Sequence, residues 1–485
     1  MKLKSINLHN FRCYQDNDFY FGSDTTIIIG KNGTGKSSLL SAIRKGMTFV
    51  FSNSESNILI RNNSNKVEGL NDWDTTFIEF GGGFLWPTDI KYNIEINQED
   101  LYWRFYKDKY AGKLHSKYYR DTQKLFDSYH LDKSSTLPLL GFYGDCYPHK
   151  RKENNKVINS FNKILTKSVV LPRDIGYTLW NSDESIVSSW FLRTKFILDE
   201  IQQDKYTLDE LSKEIQNLKS KSLERIKGEN TVLTVQIDAL ENRQKLFEDK
   251  FQSSTVYLIQ EMNFVKDRLM YFFSKMNEFD SNELILFDIK KSKTYRTDYL
   301  FFSFGKEDSI NEGVFNEESL PMGYQRLIHI VYDIAYRWFI LNGASEKFDG
   351  LVLIDELELH LHPSLQQTVL ERFRRTFPGM QFIITTHSPI ILSSFNADTE
   401  FKKIIQLEKR IDGYKDEELG NLYSIDFNSS LVDVMGVNIS DKLVDTYINA
   451  YNLLKKDDSS TAQIYLDKIS ELFNGKIPDI IKNKL

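Results

Sequence analysis

TTIIIGKNGTGKSSLLSAI, Thr25 to Ile43, passes from five β-branched residues through a glycine-rich turn into a stretch with helical spacing. An unbroken β-branched run suits a strand buried on both faces of a sheet. Beyond the turn, Leu39, Leu40, Ile43 and Met47 fall on one side of a helix. Between the two lies Gly30-Lys31-Asn32-Gly33-Thr34-Gly35-Lys36-Ser37, a complete G-x-x-x-x-G-K-S. Its glycines let the backbone curl until successive N–H groups converge on phosphate oxygens, and the helix N-terminus adds positive potential. Lys36 is expected to reach the β- and γ-phosphates and the Ser37 hydroxyl to ligate Mg²⁺. Gly30, Asn32, Gly33, Thr34, Gly35, Lys36, Ser37 and Ser38 therefore form the expected nucleotide-binding set, with ATP and Mg²⁺ as cofactors.

A phosphate loop needs a second strand that carries an acid toward the metal. LVLIDELELHLHPSLQQ, Leu351 to Gln367, supplies one: a short apolar run that ends on Asp355-Glu356. Asp355 fits the water-mediated Mg²⁺ ligand, and Glu356 is placed to polarise the attacking water as a general base. A different chemistry also stands at this point. Glu358, His360 and His362 alternate, so on a strand they would share one face and could ligate a hydrolytic zinc or iron. The alternative geometry is a turn that His362-Pro363 closes, with Pro363 opening the next helix.

A third apolar run, Gln381 to Thr386, ends at His387. Its imidazole is read as a sensor of the γ-phosphate, with a satisfied core histidine as the plain alternative. Composition narrows the other classes. The 485 residues allow two or three domains, and a net charge of −6 gives no global pull toward nucleic acid. Two cysteines, Cys13 and Cys146, with no Cys-x-x-Cys pair, argue against a disulfide framework, zinc ribbon or redox motif. No stretch approaches the roughly 18 to 20 apolar residues of a membrane span, and the N-terminus has no signal core, so a cytoplasmic location without a membrane is expected.

In this order and spacing, GKNGTGKS, LVLIDELELHLHP and QFIITTHSP resemble the Walker A, Walker B with D-loop, and H-loop segments of ABC-type ATPases in the clan of RecF, SMC-like and OLD-like proteins. INLHNFRCY is similar to that clan's first strand. SLPMGYQR, Ser319 to Arg326, occupies the place of its signature motif, where the resemblance implies that Gly323 caps a nucleotide held by a second copy. Pro321 stands where the family has serine, and it removes both a hydroxyl and an N–H donor. An ordinary helix start explains the same residues. No Gln is assignable to the Q-loop. Arg12 either approaches phosphate or pairs with an acid at the surface.

The implied fold is α/β: an ABC-ATPase head with a P-loop mixed sheet and an antiparallel β subdomain, a helical arm insertion and a helical C-terminal tail. The boundaries are 1–187 for the first half of the head, 188–280 for the arm, 281–400 for the second half and 401–485 for the tail, a candidate partner dock. Within the arm, Leu208, Leu211, Ile215 and Leu218, then Leu233, Ile237 and Leu240, mark two helices of about 30 residues, roughly 45 Å long, turning at Gly228-Glu229-Asn230. Strands are expected at Tyr423–Ile425 as well as at Lys403–Leu407. Fewer than about 100 residues follow His387, without the acidic pattern of a Toprim nuclease, and the arm is short for an SMC protein.

What remains resembles the Toprim-less ATPases of bacterial two-gene anti-phage systems, the Septu ATPase group PtuA above all. That resemblance implies self-association through the heads, a separate HNH-type nuclease as partner, and no nuclease activity in this chain. Two further readings stand: a RecF/SMC-like repair ATPase that binds DNA directly, and a metal-dependent hydrolase built on His360 and His362.

Overall fold

The computed structural model describes residues 1–47, 69–78, 83–96, 98–110, 112, 114–117, 135–144, 155–181, 186–224, 230–276, 285–294, 297–306, 309–316, 318–397, 399–410, 413–425, 442–455, 458–473, 477 and 479–482. β1 (Lys2–Phe11) buries Leu3, Ile6 and Leu8, its alternation shifted by a bulge between Leu3 and Ser5, and this strand pairs antiparallel with β2 (Tyr14–Tyr20). The β-branched run is β3 (Thr25–Gly30), buried over its first five residues, and the glycine turn leads into α1 (Lys36–Met47). Leu39, Leu40, Ile43 and Met47 are all fully buried there, as their spacing requires.

A two-residue hairpin, β4 (Phe77–Ile78) with β5 (Gly83–Phe84), precedes β6 (Thr88–Ile96), β7 (Glu99–Lys107) and β8 (Leu114–Lys117). These complete an antiparallel sheet in the order β2-β1-β6-β7-β8. Cross-strand partners Tyr92 and Trp103 stack at 5.1 Å, and the Tyr92 hydroxyl donates to the Ala42 carbonyl at 2.8 Å, which fixes α1 to the sheet.

LPLLGFYG contains β9 (Leu139–Tyr143), buried throughout. After α2 (Asn155–Leu165) come the arm helices α3 (Val187–Glu224) and α4 (Asn230–Lys250). At 38 residues α3 exceeds the expected length, and at 21 residues α4 falls short of it. Leu211 and Ile215 of α3 are buried, Lys219 pairs with Glu241 across the hairpin at 2.6 Å, and the expected turn at Gly228-Glu229 lies outside the described residues. A π-helical turn at Phe251–Thr255, with helical backbone on both sides, joins α4 to α5 (Val256–Phe272).

Three antiparallel strands follow: β10 (Ile285–Thr294), β11 (Thr297–Lys306) and β12 (Ser309–Asn316). The polar, glycine-bearing SINEGVFN of β12 carries no strand signature, so only its two neighbours were legible. Next come α6 (Met322–Asn342), β13 (Gly350–Ile354), α7 (Pro363–Thr376), β14 (Gln381–Thr385), α8 (Pro389–Ser394), β15 (Lys402–Arg410) and β16 (Gly413–Leu419).

The second sheet runs β16-β15-β3-β14-β13-β9, parallel except for the edge strand β16. Gln381, fully buried, joins the two sheets: its amide donates to the Leu3 and Gly22 carbonyls at 2.9 and 2.8 Å and accepts from the Leu3 N–H at 2.7 Å. The architecture is thus the expected α/β head, with a P-loop mixed sheet, antiparallel β layers and a helical insertion.

One strand expectation fails, and of the two geometries open after Asp355 the turn is the one adopted. Tyr423–Ile425 is a turn, with Ser424 at φ 61°, and β15 finds its antiparallel partner in GYKDEEL instead, whose charges suit an exposed edge. The segment after Asp355 is also a turn, so Glu358, His360 and His362 share no strand face.

Contacts divide the described chain after Asn421. The second unit, Leu422–Leu485, holds α9 (Lys442–Leu454), α10 (Ser459–Leu472) and α11 (Asp479–Lys482). Val444, Ile448 and Ile469 form its core, with Tyr447, Phe473, Ile477 and Ile481 packed against them. Cys146 and residues 432–438 lie outside the described residues.

The root of the arm is held by a buried ion pair. Arg193 of α3 binds Glu261 of α5 in bidentate fashion at 2.9 and 2.8 Å, and its remaining donors reach the carbonyls of Leu165, Ser168 and Val169. Neither side chain is more than 1 % exposed. Replacing the carboxylate leaves a buried guanidinium uncompensated. Glu261→Gln is expected to cost about 3–5 kcal/mol, seen as a lower urea midpoint at unchanged m-value. A midpoint equal to wild type would show that the pair does not hold the arm root.

Candidate functional site

Register places the site. β3 pairs with β14 from Thr25↔Phe382 to Ile28↔Thr385, and β14 with β13 up to Ile354↔Ile384, so three adjacent parallel strands end side by side. Gly30, Asp355 and the Thr385-Thr386-His387 segment leave the sheet together, at the carboxyl ends where open α/β sheets bind ligands.

The loop after β3 has the backbone its glycines permit. Gly30 lies at φ 151°, where a Cβ would meet the Leu407 carbonyl oxygen at 2.5 Å. Gly35 lies at φ 99°, where a Cβ would strike the Tyr14 hydroxyl at 2.5 Å and the Cys13 sulfur at 2.7 Å. Cys13 backs the loop as a packing residue, its thiol pushed up to about 11 by burial. Thr34 braces the curl, its N–H and hydroxyl both donating to the Lys31 carbonyl, while Asn32, Gly33 and Ser37 are exposed and Ser38 half-buried.

Lys36 is 7 % exposed, and its ammonium donates to the Gly30 and Lys31 carbonyls at 2.8 and 3.3 Å. Burial holds it below the ordinary lysine range, and the negative charges of Asp355, Glu356 and Glu358 pull it back up. A buried cation whose hydrogen bonds go to backbone carbonyls of a curled loop fits an anion entering that loop.

Opposite stands the turn after β13. The Thr385 hydroxyl donates to the Asp355 carboxylate and accepts from the Glu356 N–H at 2.8 Å, and the Leu357 N–H donates to the Thr385 carbonyl at 3.1 Å. Glu358, singled out in the sequence as a metal ligand, plays a different part. Its carboxylate accepts from the Thr386 hydroxyl at 2.7 Å and from the His387 N–H at 2.6 Å, which fastens the turn to the end of β14.

His362 caps α7, with Pro363 at the first helical position, and its ring lies 2.9 Å from the Ser364 hydroxyl. Among the described residues no group of three or more His, Cys, Asp or Glu could hold a metal ion. The oxygens of Ser37 and Asp355 suit Mg²⁺, which takes one or two protein oxygens and fills its shell with phosphate and water. His387 is half-buried; burial and then the Lys36 charge keep its imidazole below the ordinary histidine range, with Glu358 and Asp355 opposing. Lys36, Asp355, Glu358 and His387 therefore share one electrostatic environment.

At the signature-like segment Pro321 is the N-cap of α6, without a side-chain cap bond. Gly323 is buried against the turn: a Cβ there would lie 2.6 Å from the His360 carbonyl oxygen. Arg326 donates to the carbonyls of Asp355 and Glu356. Arg12 is paired with Asp74 at 2.9 Å. Sequence reasoning missed Thr385, Arg326 and the bracing role of Glu358. The Thr385 position was recoverable from pairing LVLI with FIITT; the other two depend on where a turn and a helix meet.

Against known proteins, the family model described as AAA ATPase domain matches residues 1–392. The chain is 27 % identical over 428 residues to a retron Vc95 probable ATPase of Vibrio cholerae serotype O1 biovar El Tor, covering 84 % of this chain and 74 % of that protein. It is 29 % identical over 147 residues to the Septu protein PtuA of Bacillus thuringiensis, covering 27 % of this chain and 34 % of that protein. Among solved structures, a Pyrococcus furiosus Smc head domain bound to the C-terminal domain of ScpA aligns with TM-score 0.41 at 13 % identity, covering 86 % of this chain and 96 % of that one. The family match takes in β3, β9, β13 and β14, the strands that carry the phosphate loop and the acids, and the chain belongs to the AAA ATPase domain family, as an ATP-binding ATPase.

Proposed function

We propose that this chain binds ATP with Mg²⁺, hydrolyses it slowly, and acts as sensor and scaffold for a separate HNH-type nuclease in bacterial anti-phage defence. The observation that carries the ATPase half is the buried Lys36, held by loop carbonyls and facing the acids of the neighbouring strand end. The defence half is supported by similarity to a retron ATPase and to a Septu protein.

The proposed roles follow residue by residue. Lys36 and the loop N–H groups bind the β- and γ-phosphates; Ser37, and Asp355 through water, hold Mg²⁺, which neutralises phosphate charge when bound. Glu356 accepts a proton from the attacking water, and His387 offers its ring N–H to the γ-phosphate. Gly323 caps the nucleotide of a second copy, so heads associate around ATP. Pro321 lacks the hydroxyl and N–H that would strengthen that closure, which accounts for slow turnover. The helices of 401–485 are the proposed dock for the nuclease, and the cutting of nucleic acid belongs to that separate chain.

Lys36→Ala is expected to abolish nucleotide binding in a titration. Glu356→Gln is expected to keep ATP bound and slow hydrolysis at least roughly tenfold, about 1.4 kcal/mol of barrier. ATP binding in the first variant, or wild-type turnover in the second, contradicts the assignment. Co-purification with a nuclease encoded beside this gene tests the scaffold half; tight, salt-sensitive DNA binding by the chain alone would favour direct DNA recognition instead.

The low imidazole value of His387 has a definite sign. Without nucleotide it is expected to titrate below about 6.5 by NMR. Phosphate stabilises the imidazolium and screens Lys36, so nucleotide raises the midpoint, and by linkage ATP binds more tightly, through this group, as pH falls toward it. A midpoint that nucleotide leaves unmoved removes His387 from the γ-phosphate.

A further inference from the structure

The turn after β13 contains two residues in the left-handed region, Glu356 at φ 49° and His360 at φ 64°. Neither is glycine, so the conformation persists only where surrounding contacts over-determine it. From β14, the Thr385 hydroxyl and carbonyl engage the N–H groups of Glu356 and Leu357. The opposite fastening comes from the first turn of α6. The backbone of Gly323 packs against the His360 carbonyl so closely that a single added carbon would lie 2.6 Å from its oxygen.

One turn further on is Arg326, fully buried, whose Nη2 donates to the carbonyl of Asp355 at 2.8 Å and to that of Glu356 at 3.2 Å. Two successive carbonyl oxygens drawn to one nitrogen constrain the two peptide planes that flank the Glu356 Cα. They thereby fix the direction in which the Glu356 side chain leaves the backbone.

Ordinary packing does not ask for this arrangement, since α6 could bury an aliphatic residue here as it does at Leu327 and Ile330. A guanidinium carries a permanent charge on a planar, pre-organised fork, so its bonds to carbonyl dipoles are strong and directional. We propose that Arg326 is a positioning residue for ATP hydrolysis: it holds the two peptides flanking Glu356 so that the Glu356 carboxylate faces the attacking water. This rests on Glu356 being the base. Asp355, whose carboxylate is held separately by the Thr385 hydroxyl, depends on Arg326 less.

The test uses the full chain with Arg326→Lys and Arg326→Gln, each alone and combined with Glu356→Gln, reading the affinity of a fluorescent ATP analogue, steady-state hydrolysis and Tm. Glutamine is included because its amide can still donate to one carbonyl if lysine is not accommodated. Expected is an affinity within about threefold of wild type and a kcat lower by roughly tenfold or more, with lysine milder than glutamine. In the Glu356→Gln background the same changes are expected to alter the residual rate by less than about twofold, because both act on one group.

Wild-type kcat in a folded Arg326 variant, or losses that multiply in the double variants, overturns the proposal. So does a parallel fall in affinity, Tm and kcat, which is the signature of a structural role alone. Retained nucleotide binding in Lys36→Ala would instead remove the ATP site itself, so the two failures are distinguishable.

Discussion

Parallel pairing in one register, β3 against β14 and β14 against β13, is the constraint on which the site depends. Hydrogen bonding sets the spacing of the strands, and the register sets which residues end level. A slip of one residue between β13 and β14 would turn Asp355 to the other face of the sheet and leave the Thr385 hydroxyl without it. The register is protected on both sides of the sheet, since Leu351 to Ile354 and Phe382 to Ile384 are all buried. Gln381 adds a check at the opposite end of β14, where its amide accepts only one alignment with Leu3 and Gly22.

On that level edge the chain concentrates polar groups that would be costly if unmatched. Lys36 is buried with its ammonium on backbone carbonyls, and the turn beyond Asp355 holds left-handed residues. Both conditions are sustained from outside: loop carbonyls support the ammonium, while Thr385, Glu358, Gly323 and Arg326 brace the turn. Two other sets of buried charges are answered by opposite charge within the fold. Asp333 accepts from Tyr143, Trp190 and Arg337 at 2.6 to 2.8 Å, and Arg193 is matched to Glu261. Lys36 differs from these in that its carbonyl partners belong to the curled phosphate loop itself, where an anion can replace them.

Much of this was legible in the sequence, because the three site-bearing segments are short-range signals. A β-branched run followed by G-x-x-x-x-G-K-S, an apolar run ending in Asp-Glu and another ending in Thr-Thr-His each state strand and exit within about ten residues. What failed was polar or non-local. β12 and β16 are strands because partners pair with them, and the polar, glycine-bearing sequence of the first and the charged sequence of the second give no hint of it. Glu358, His360 and His362 left two geometries open, and the backbone takes the turn that His362-Pro363 signalled, held by contacts with α6 and β14 that the local pattern does not encode. Arg326 ends the signature-like SLPMGYQR, and only the packing of that helix on the turn shows what it holds.

The central claim is that Lys36 is the cation of an ATP site whose other wall is the Asp355–Glu356 turn. A structure of the chain with a non-hydrolysable ATP analogue and Mg²⁺ tests it most directly. The account predicts that the Lys36 ammonium exchanges the Gly30 and Lys31 carbonyls for β- and γ-phosphate oxygens, with Ser37 and Asp355 on the metal side and His387 beside the terminal phosphate. Nucleotide bound elsewhere, or bound here with Lys36 still on the loop carbonyls and Asp355 remote from the metal, would contradict it.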